Sequence, residues 1–313
     1  VCKLQYPNMI SAVEADLKQL DIIFKINKNL DPAIGTNKIR EEIAQRLREE
    51  LDYDREANHL KLFSEILKKY DDIRIPTVFK NVSTDKLLVM SYLSGKPLMD
   101  YKSSSQEIRN KIAHCLFRAW WVPFGQFGVI HGDPHLGNYS IIEEDNNVLG
   151  INLLDFGCVR RFQPVFVEGV INLYNGLKNN NQEMLVNSYE SWGFKNLNKE
   201  LIDILNVWAN FIYGPILDNR SRTVADGIEP EVYGRKEAFN VYQSLKKIGP
   251  VEIPREFVFM DRAAIGLGSV FLHLNANLNL HNLFEDAIGE FNIDKLTKKQ
   301  SEVFKKTGVD FGL

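Results

Sequence analysis

Length, composition and charge describe an ordinary globular chain. It has 313 residues, of which 44% are hydrophobic and 25% charged, and its formal net charge is −3. A chain of this size can bury a full core, as one large domain or as two lobes. The small net charge offers no sequence-wide cationic field, so we expect no nucleic-acid partner.

The cysteines and the apolar stretches bear on the compartment. Three cysteines, an odd number without metal-binding spacing, favour a reducing compartment over a disulfide framework. The longest apolar stretch, residues 263–274, has about 12 residues, whereas a membrane-spanning helix needs about 20. We therefore predict no transmembrane helix. The chain opens on Val1 without a basic and apolar leader, so we predict no signal peptide, a missing natural start, and a cytoplasmic or matrix location.

The first elements in chain order are a short strand and a long helix. Residues 1–7 form a β-prone run that carries Lys3 and ends at a proline. Apolar residues at helical spacing then predict one helix over residues 36–70, with Thr36 as its N-cap. Within it, residues 49–57 hold six charges in nine positions, a density typical of a solvated face.

Further elements follow on either side of the chain's middle. Residues 74–79 and 87–92 are predicted strands, and the second runs into a glycine turn. The second half of the chain is predicted to be mostly helical, with a polar connection over residues 219–230. In residues 254–274, we interpret Gly266 and Gly268 as sites of close helix packing, because no strand leads into them as a phosphate loop requires.

Two motifs in the middle of the chain carry chemistry. Residues 131–138 read His-Gly-Asp-Pro-His-Leu-Gly-Asn, and a hairpin-like interval leads to Asp155-Phe156-Gly157. In H-x-D-x-x-x-x-N, the Asp (here Asp133) accepts a hydroxyl proton or orients the nucleophile, and the Asn (Asn138) offers its amide oxygen to Mg²⁺. Asp155 would hold the metal against the phosphates. Either motif alone could be chance, but their order and spacing favour phosphoryl-transfer machinery.

These motifs give the upstream residues candidate roles. Lys3, otherwise a solvated lysine, becomes the candidate for the strand lysine that holds the α and β phosphates. A carboxylate from the following helix must pair with it; we choose Glu56, with Asp52 one turn earlier on the same face.

The end of the second strand is a candidate adenine-binding hinge. There the C=O of Ser91 and the N–H and C=O of Leu93 would be available to adenine, with Met90 at the back of the pocket. A buried strand that runs to a glycine turn explains the same residues.

The chain resembles the UbiB/AarF (ADCK) family of atypical kinases over most of its length. The resemblance rests on Lys3 in V-x-K-L-Q-Y-P, on residues 50–58, on both motifs above, and on residues 254–257 and 261–268. It implies an α+β, protein-kinase-like two-lobed fold, with an incomplete small lobe over residues 1–93 and a mostly helical large lobe over residues 94–313.

The resemblance also implies function. Family members bind Mg-ATP and support ubiquinone biosynthesis on a membrane, as ATPases or small-molecule kinases more than as protein kinases. It gives Lys3, Glu56, Asp133, Asn138 and Asp155 the roles above, and makes Glu50 and Asp52 the family's E-x-D pair. It further implies a lipid or quinone-precursor partner and peripheral contact with an inner membrane, or a mitochondrial matrix location. The oligomeric state stays open.

The chain departs from the family, and from protein kinases, at several points. Leu136 stands where the family usually has proline, which should be a mild change because Pro134 remains. The Lys-x-Gly-Gln segment and the alanine-rich nucleotide loop lie upstream of the lysine strand in the family, and this sequence begins after them. We therefore expect weak nucleotide binding and self-association through an unpaired strand edge.

Residues around the motifs argue against an ordinary protein kinase. Gly132 replaces the arginine that reads an activation-loop phosphate in many kinases, and no peptide-docking segment follows Gly157. Arg160 and Arg161 could touch phosphate but are more typical of a solvated turn. The histidines outside the motifs share no metal spacing, and we interpret four of them as structural: His59, His114, His273 and His281.

Three functional classes remain. The first is a UbiB-like ATPase or lipid-pathway kinase, favoured by the E-x-D helix. The second is a small-molecule phosphotransferase of the aminoglycoside or choline kinase type, which also uses H-G-D-x-x-x-x-N. The third is a non-catalytic nucleotide-sensing scaffold, suggested by the missing upstream loop.

Overall fold

A computed structural model describes residues 1–30, 43–45, 47–228, 234–248 and 254–310. Short strands gather in the first half of the chain, and helices form nearly all of the second. The predicted α+β class is confirmed. One large cluster of buried apolar side chains runs from the Tyr53 region to Val309.

The chain begins with a strand, as predicted. Strand β1 (Cys2–Leu4) pairs antiparallel with β3 (Leu87–Val89), which places Lys3 opposite Leu88. Helix α1 (Met9–Leu30), which follows β1, was not predicted from the sequence.

The prediction of one helix over residues 36–70 is wrong. A turn interrupts the chain at positions 50 and 51, and helix α2 (Tyr53–Leu67) begins anew. The physical reason is Asp52, whose carboxylate accepts a hydrogen bond from the backbone N–H of Arg55 and so caps the new helix. Asp52 therefore does not lie on a helical face with Glu56, and Thr36 lies outside the described residues.

A four-stranded sheet supports the motif region. Its order is β2 (Ile73–Arg74), β7 (Asn147–Leu153), β6 (Tyr139–Glu144) and β4 (Lys96–Pro97). Strands β6 and β7 form the antiparallel hairpin expected between the two motifs, while β2 joins β7 in parallel.

Both predicted strands before the motifs are shorter than expected. The run over residues 74–79 ends as a strand at Arg74 and resumes only as a bridge from Val78 to Met90. Pro76 explains the break, because it has no N–H for a ladder. The second run is a strand only up to Val89, followed by that bridge.

The rest of the chain is mostly helical. A small pair of strands, β5 (Val129–Ile130) and β8 (Arg160–Arg161), borders the motifs, and short 3₁₀ turns lie at Lys80–Val82, Leu98–Tyr101 and Leu136–Asn138. The helices are α3 (Gln106–Phe127), α4 (Pro164–Lys178), α5 (Gln182–Ser191), α6 (Lys199–Leu217), α7 (Arg235–Ile248), α8 (Arg255–Leu274), α9 (Leu280–Ile288) and α10 (Ile293–Thr307).

Helix α8 bears on the expected absence of a membrane-spanning helix. Among the described helices it is long and apolar enough to cross a membrane, by length and composition only. A third of its apolar window is buried in the protein, and a core helix of a folded domain meets the same criterion. The expectation drawn from residues 263–274 stays a prediction.

The two glycines of α8 differ in their surroundings. A Cβ on Gly266 would lie 2.0 Å from Cγ of Pro134, in the first motif, whereas a Cβ on Gly268 would meet nothing within 4 Å. The close-packing interpretation is confirmed for Gly266 and wrong for Gly268.

This difference makes a matched test. Gly266→Ala should lower the free energy of unfolding by about 1–3 kcal/mol, because the added methyl group overpacks the contact with Pro134. Gly268→Ala should raise it by up to about 1 kcal/mol, because alanine is the better helix former and its methyl group meets open space. Urea unfolding of both variants measures the difference. Equal effects of the two substitutions would contradict the close contact.

Candidate nucleotide site

Lys3, Glu56 and Asp155 meet in one cluster. Lys3 Nζ lies 2.9 and 2.8 Å from the two carboxylate oxygens of Glu56 and 3.3 Å from Oδ2 of Asp155. Glu56 is 2% exposed, while the side chain of Asp155 is 44% exposed. The ring of Tyr53, at the start of α2, lies 5.6 Å from the ammonium group. One carboxylate thus anchors the amine from inside, and the other faces solvent.

The charges in this cluster support one another. Burial alone would lower the pKa of Lys3, but the carboxylates of Glu56 and Asp155 outweigh it and raise that pKa. Burial would raise the pKa of Asp155, but the Lys3 ammonium and the N–H of Gly157 together lower it. Burial raises the pKa of Glu56, opposed by Lys3. The structure therefore holds a charged amine beside an ionised, solvent-facing Asp155.

The first motif brings Asp133 and Asn138 together. Asn138 donates from Nδ2 to Oδ2 of Asp133 at 2.8 Å, and the backbone N–H of His135 donates to Oδ1 of Asp133 at 3.4 Å. The N–H of Leu154 donates to the C=O of Asn138, which ties this loop to the end of β7. The amide nitrogen of Asn138 is engaged by Asp133, so its amide oxygen is the atom that can bind a metal.

The glycine in this motif has a structural reason. Gly132 has φ +47°, and a Cβ there would lie 2.1 Å from the C=O of Cys158. An arginine at this position would need both a left-handed backbone and a displaced chain after the second motif. The absence of the kinase arginine therefore follows from backbone packing.

The donor set fits Mg²⁺. Asn138 and Asp155 offer an amide oxygen and a carboxylate, and hard oxygen ligands are those Mg²⁺ prefers. Among the residues that the structure describes, no group of three or more His, Cys, Asp and Glu side chains is placed to hold a metal. One carboxylate and one amide suit a metal that completes its shell with phosphates and water.

Two buried histidines hold the backbone of the second motif. His131 donates from Nε2 to the C=O of Asp155, and His59, on α2, donates from Nδ1 to the C=O of Phe156 at 3.1 Å. Each ring nitrogen must be the donor, since a carbonyl oxygen only accepts. Burial lowers the pKa of both rings, that of His59 to about 3. Both histidines are therefore neutral at pH 7 and fix Asp155 from its backbone.

His59 should make the protein sensitive to acid. Its pKa is about 3 in the folded chain, against an ordinary value of 6.5, so the unfolded chain binds the proton more tightly. The stability due to neutral His59 is complete above pH 6.5 and is lost as the pH falls toward 3. Between pH 7 and pH 5, this residue alone should lower the free energy of unfolding by about 2 kcal/mol.

Chemical unfolding of His59→Gln, which removes the titration, measures this contribution. The variant should lose less stability than the wild type between pH 7 and pH 5. His273→Gln, at an exposed position, should keep the wild-type slope. A slope that is unchanged in His59→Gln would show that His59 is not buried in its neutral form.

Arg160 is not part of a solvated turn, so that interpretation is wrong for this residue. It is buried, and its Nη2 lies 2.9 Å from Oε2 of Glu49, whose other oxygen pairs with Arg55 at 2.8 Å. Arg161, beside it on β8, is half-buried. The charged run over residues 49–57 is thus partly internal, and it links the start of α2 to the segment after the second motif.

The remaining candidate residues lie around this centre. Met90 is buried and Ser91 half-buried; Ser91 donates its N–H to the C=O of Thr77 and accepts at Oγ from the N–H of Thr77. Leu93 is half-buried, and Glu50 is exposed. The adenine role of Met90, Ser91 and Leu93 stays a prediction, as does that of Glu50 and Asp52.

A cavity of about 400 Å³ opens beside the first motif. It lies between residues just after the candidate hinge, such as Gly95 and Leu98, and residues of the motif region, namely Leu136 within the first motif and Leu154 just before the second. Apolar side chains from both sides of the cavity would suit a flat aromatic base.

The sequence interpretation missed the part that two residues play in this region. The structural interpretation of His59 agrees with its buried contact to the C=O of Phe156, but its link to the second motif was not predicted. His59 lies three residues after Glu56 and hence on the same face of α2, and that spacing was the available signal. Glu49 had none, because its partner Arg160 lies far away in the chain.

Comparison with known proteins supports the family resemblance. Residues 1–189 match the ABC1 atypical kinase-like domain. The mitochondrial atypical kinase COQ8 of Schizosaccharomyces pombe is 26% identical over 213 residues, which are 68% of this chain and 34% of that protein. The mitochondrial atypical kinase COQ8B of Danio rerio is 26% identical over 92% of this chain and 45% of its own length. The chain spans about a third to a half of these relatives.

A solved structure agrees on the fold. The complex of Rv3197 with erythromycin from Mycobacterium tuberculosis superimposes with a TM-score of 0.64 at 22% identity, over 92% of this chain and 70% of that one. With the domain match, this confirms the predicted kinase-like fold. The division into lobes at residue 93 stays a prediction.

Proposed function

The chain belongs to the ABC1 atypical kinase-like family, the UbiB/AarF (ADCK) kinases, and we propose on that basis that it binds Mg-ATP and catalyses phosphoryl transfer or ATP hydrolysis. The observation that carries the proposal is Lys3, held at 2.8 Å by the buried carboxylate of Glu56 and facing Asp155. Kinase-like sites need this amine, held by a helix carboxylate, to position the phosphates.

Each residue of the cluster has a task in this proposal. Lys3 binds the α and β phosphates, and Glu56 holds it in place. Asp133, oriented by Asn138, accepts the proton of the attacking hydroxyl or water. Asn138 and Asp155 would hold Mg²⁺, which when bound neutralises developing charge on the phosphates. His59 and His131 keep Asp155 aimed at the site through its backbone.

The proposed setting follows from the relatives. The COQ8 and COQ8B relatives compared above are mitochondrial kinases by name, and a further relative, in Arabidopsis thaliana, is a chloroplastic kinase by name. We place this protein in the same class, acting in ubiquinone or related isoprenoid-quinone biosynthesis. A quinone precursor or lipid would be its partner, and it would contact an inner membrane peripherally.

Calorimetric titration and an ATP-turnover assay on the full-length protein test the proposal. ATP should bind with Mg²⁺ present and much more weakly with EDTA, and ADP release should rise with vesicles and a quinone-precursor mimic. Phosphate transferred to an added alcohol, without a membrane effect, would identify a small-molecule phosphotransferase instead. Nucleotide binding without any turnover would identify a sensing scaffold. No Mg-dependent binding would contradict the proposal altogether.

A further inference from the structure

A second and larger cavity lies in the helical part of the protein. It has a volume of about 480 Å³, and helices α3 to α6, α8 and α9 surround it. None of the candidate nucleotide-site residues lines it. Cavities left by a single large-to-small substitution measure about 150 Å³, whereas small-molecule sites measure about 300–1,000 Å³. This space is of ligand size.

Its wall is rich in aromatic rings. Among the residues that line it are three tryptophans, a tyrosine and two phenylalanines: Trp121, Trp192, Trp208, Tyr189, Phe117 and Phe257. Rings of this kind bury apolar ligands, and their faces attract cations, most strongly when water is excluded. The wall therefore suits an apolar molecule, with or without a positive charge.

One carboxylate distinguishes this cavity from a plain apolar one. Asp261, on α8, lines it and accepts a hydrogen bond at Oδ1 from the indole N–H of Trp208 at 2.7 Å. No cation of the described chain forms an ion pair with Asp261. The carboxylate of Glu49, by contrast, pairs with the buried Arg160. Burial raises the pKa of Asp261 to about 6, so the group is mainly ionised at pH 7. Among the described residues, this half-buried carboxylate therefore has aromatic neighbours and no counter-ion.

We propose that this cavity binds an apolar molecule that carries one protonated amine, with Asp261 as its counter-ion. The ammonium group would pair with Oδ2 of Asp261, because Oδ1 is engaged by Trp208. The aromatic rings would enclose the apolar body and add cation–π attraction. An uncharged apolar molecule of the same shape would fill the space but leave the carboxylate unpaired.

Three isosteric probes test the charge requirement. They are 4-phenylbenzylamine, biphenyl-4-ylmethanol and 4-ethylbiphenyl, which differ only in an ammonium, hydroxyl or methyl end group. Binding to the full chain is measured by calorimetry or by quenching of tryptophan fluorescence. The amine should bind about tenfold or more tightly than the other two, a difference typical of a partly desolvated charge pair. Equal affinities for the amine and the ethyl compound would overturn the proposal.

Variants locate the binding. Asp261→Asn, nearly isosteric, should remove the preference for the amine and leave weak binding of all three probes. Ala209→Trp should fill the cavity and abolish binding, whereas Val207→Trp, on the exposed face of the same helix, should bind as the wild type does. Circular dichroism checks the fold of each variant. Unchanged amine preference in Asp261→Asn would exclude Asp261 as the counter-ion even if Ala209→Trp fails to fold.

Discussion

Asp155→Asn should abolish Mg-dependent ATP turnover in the full-length protein. The substitution removes the ligand charge at the point where the metal and the phosphates would meet. The shape of the side chain is kept, and its oxygen can still accept the N–H of Gly157, which lies 2.9 Å from Oδ1. Because His131 holds the backbone of residue 155, the fold should survive. We expect a loss of about 100-fold or more in turnover, or about 3 kcal/mol in the barrier.

Asp145→Asn is the matched control. Asp145 lies exposed in the turn between β6 and β7, with φ +49°, a conformation that asparagine also tolerates. It should turn over ATP at the wild-type rate. Steady-state ADP release with saturating Mg²⁺ measures both variants. Wild-type turnover by Asp155→Asn would remove Asp155 from the metal site.

Lys3 and Glu56 should act as one unit in nucleotide binding. Lys3→Met leaves the carboxylate of Glu56 without the partner beside it, and Glu56→Gln replaces the charged partner of Lys3 by a neutral amide, so the attraction of the amine then depends on Asp155. Each single variant should therefore lose most of the Mg-ATP affinity that the double variant loses. We expect an interaction energy of about 1–3 kcal/mol in the double-mutant cycle.

The cycle is measured by calorimetric titration, which gives the Kd for Mg-ATP of the wild type, both single variants and the double variant. The exposed ion pair of Arg74 and Glu144, at 3.2 Å, provides the control, and its cycle (Arg74→Met, Glu144→Gln) should show no coupling in nucleotide affinity. Additive losses for Lys3 and Glu56 would mean that the contact seen here does not position the amine. Glu50 and Asp52 would then be the next candidates for that task.

The motifs could be predicted from the sequence because their chemistry is local. Asp133, Asn138 and Asp155 occur at spacings that phosphoryl transfer requires, so a short window was enough to identify them. The pairing of Lys3 with Glu56 spans 53 residues, and its prediction depended on the logic of the site. The geometry agrees with that logic.

The wrong predictions have a common physical cause. In each case a specific contact decided the structure, and the spacing of residues in the sequence does not show that contact. The helical spacing of apolar residues continues across Asp52. The carboxylate of Asp52 nevertheless caps a new helix at Tyr53, so the predicted single helix is interrupted there. Arg160 on β8 looks solvated in the sequence, but it is buried and forms an ion pair with Glu49, which lies in a distant segment of the chain. Gly266 and Gly268 are alike in sequence, and only Pro134, packed against one of them, makes them different.

The two histidines that hold consecutive carbonyls also bear on how the protein could be inhibited. Phe156 is fully buried, with its ring centroid 5.1 Å from those of Phe63 and His131. In kinases, the packing of this phenylalanine separates active from inactive forms. An outward movement of Phe156 would remove the carbonyl acceptors of His59 and His131. The free-energy cost would be about 1–3 kcal/mol for each buried donor left without a partner. Compounds that need the vacated phenylalanine space should therefore bind poorly, and inhibitors are better sought among molecules that fit the site with Phe156 in place.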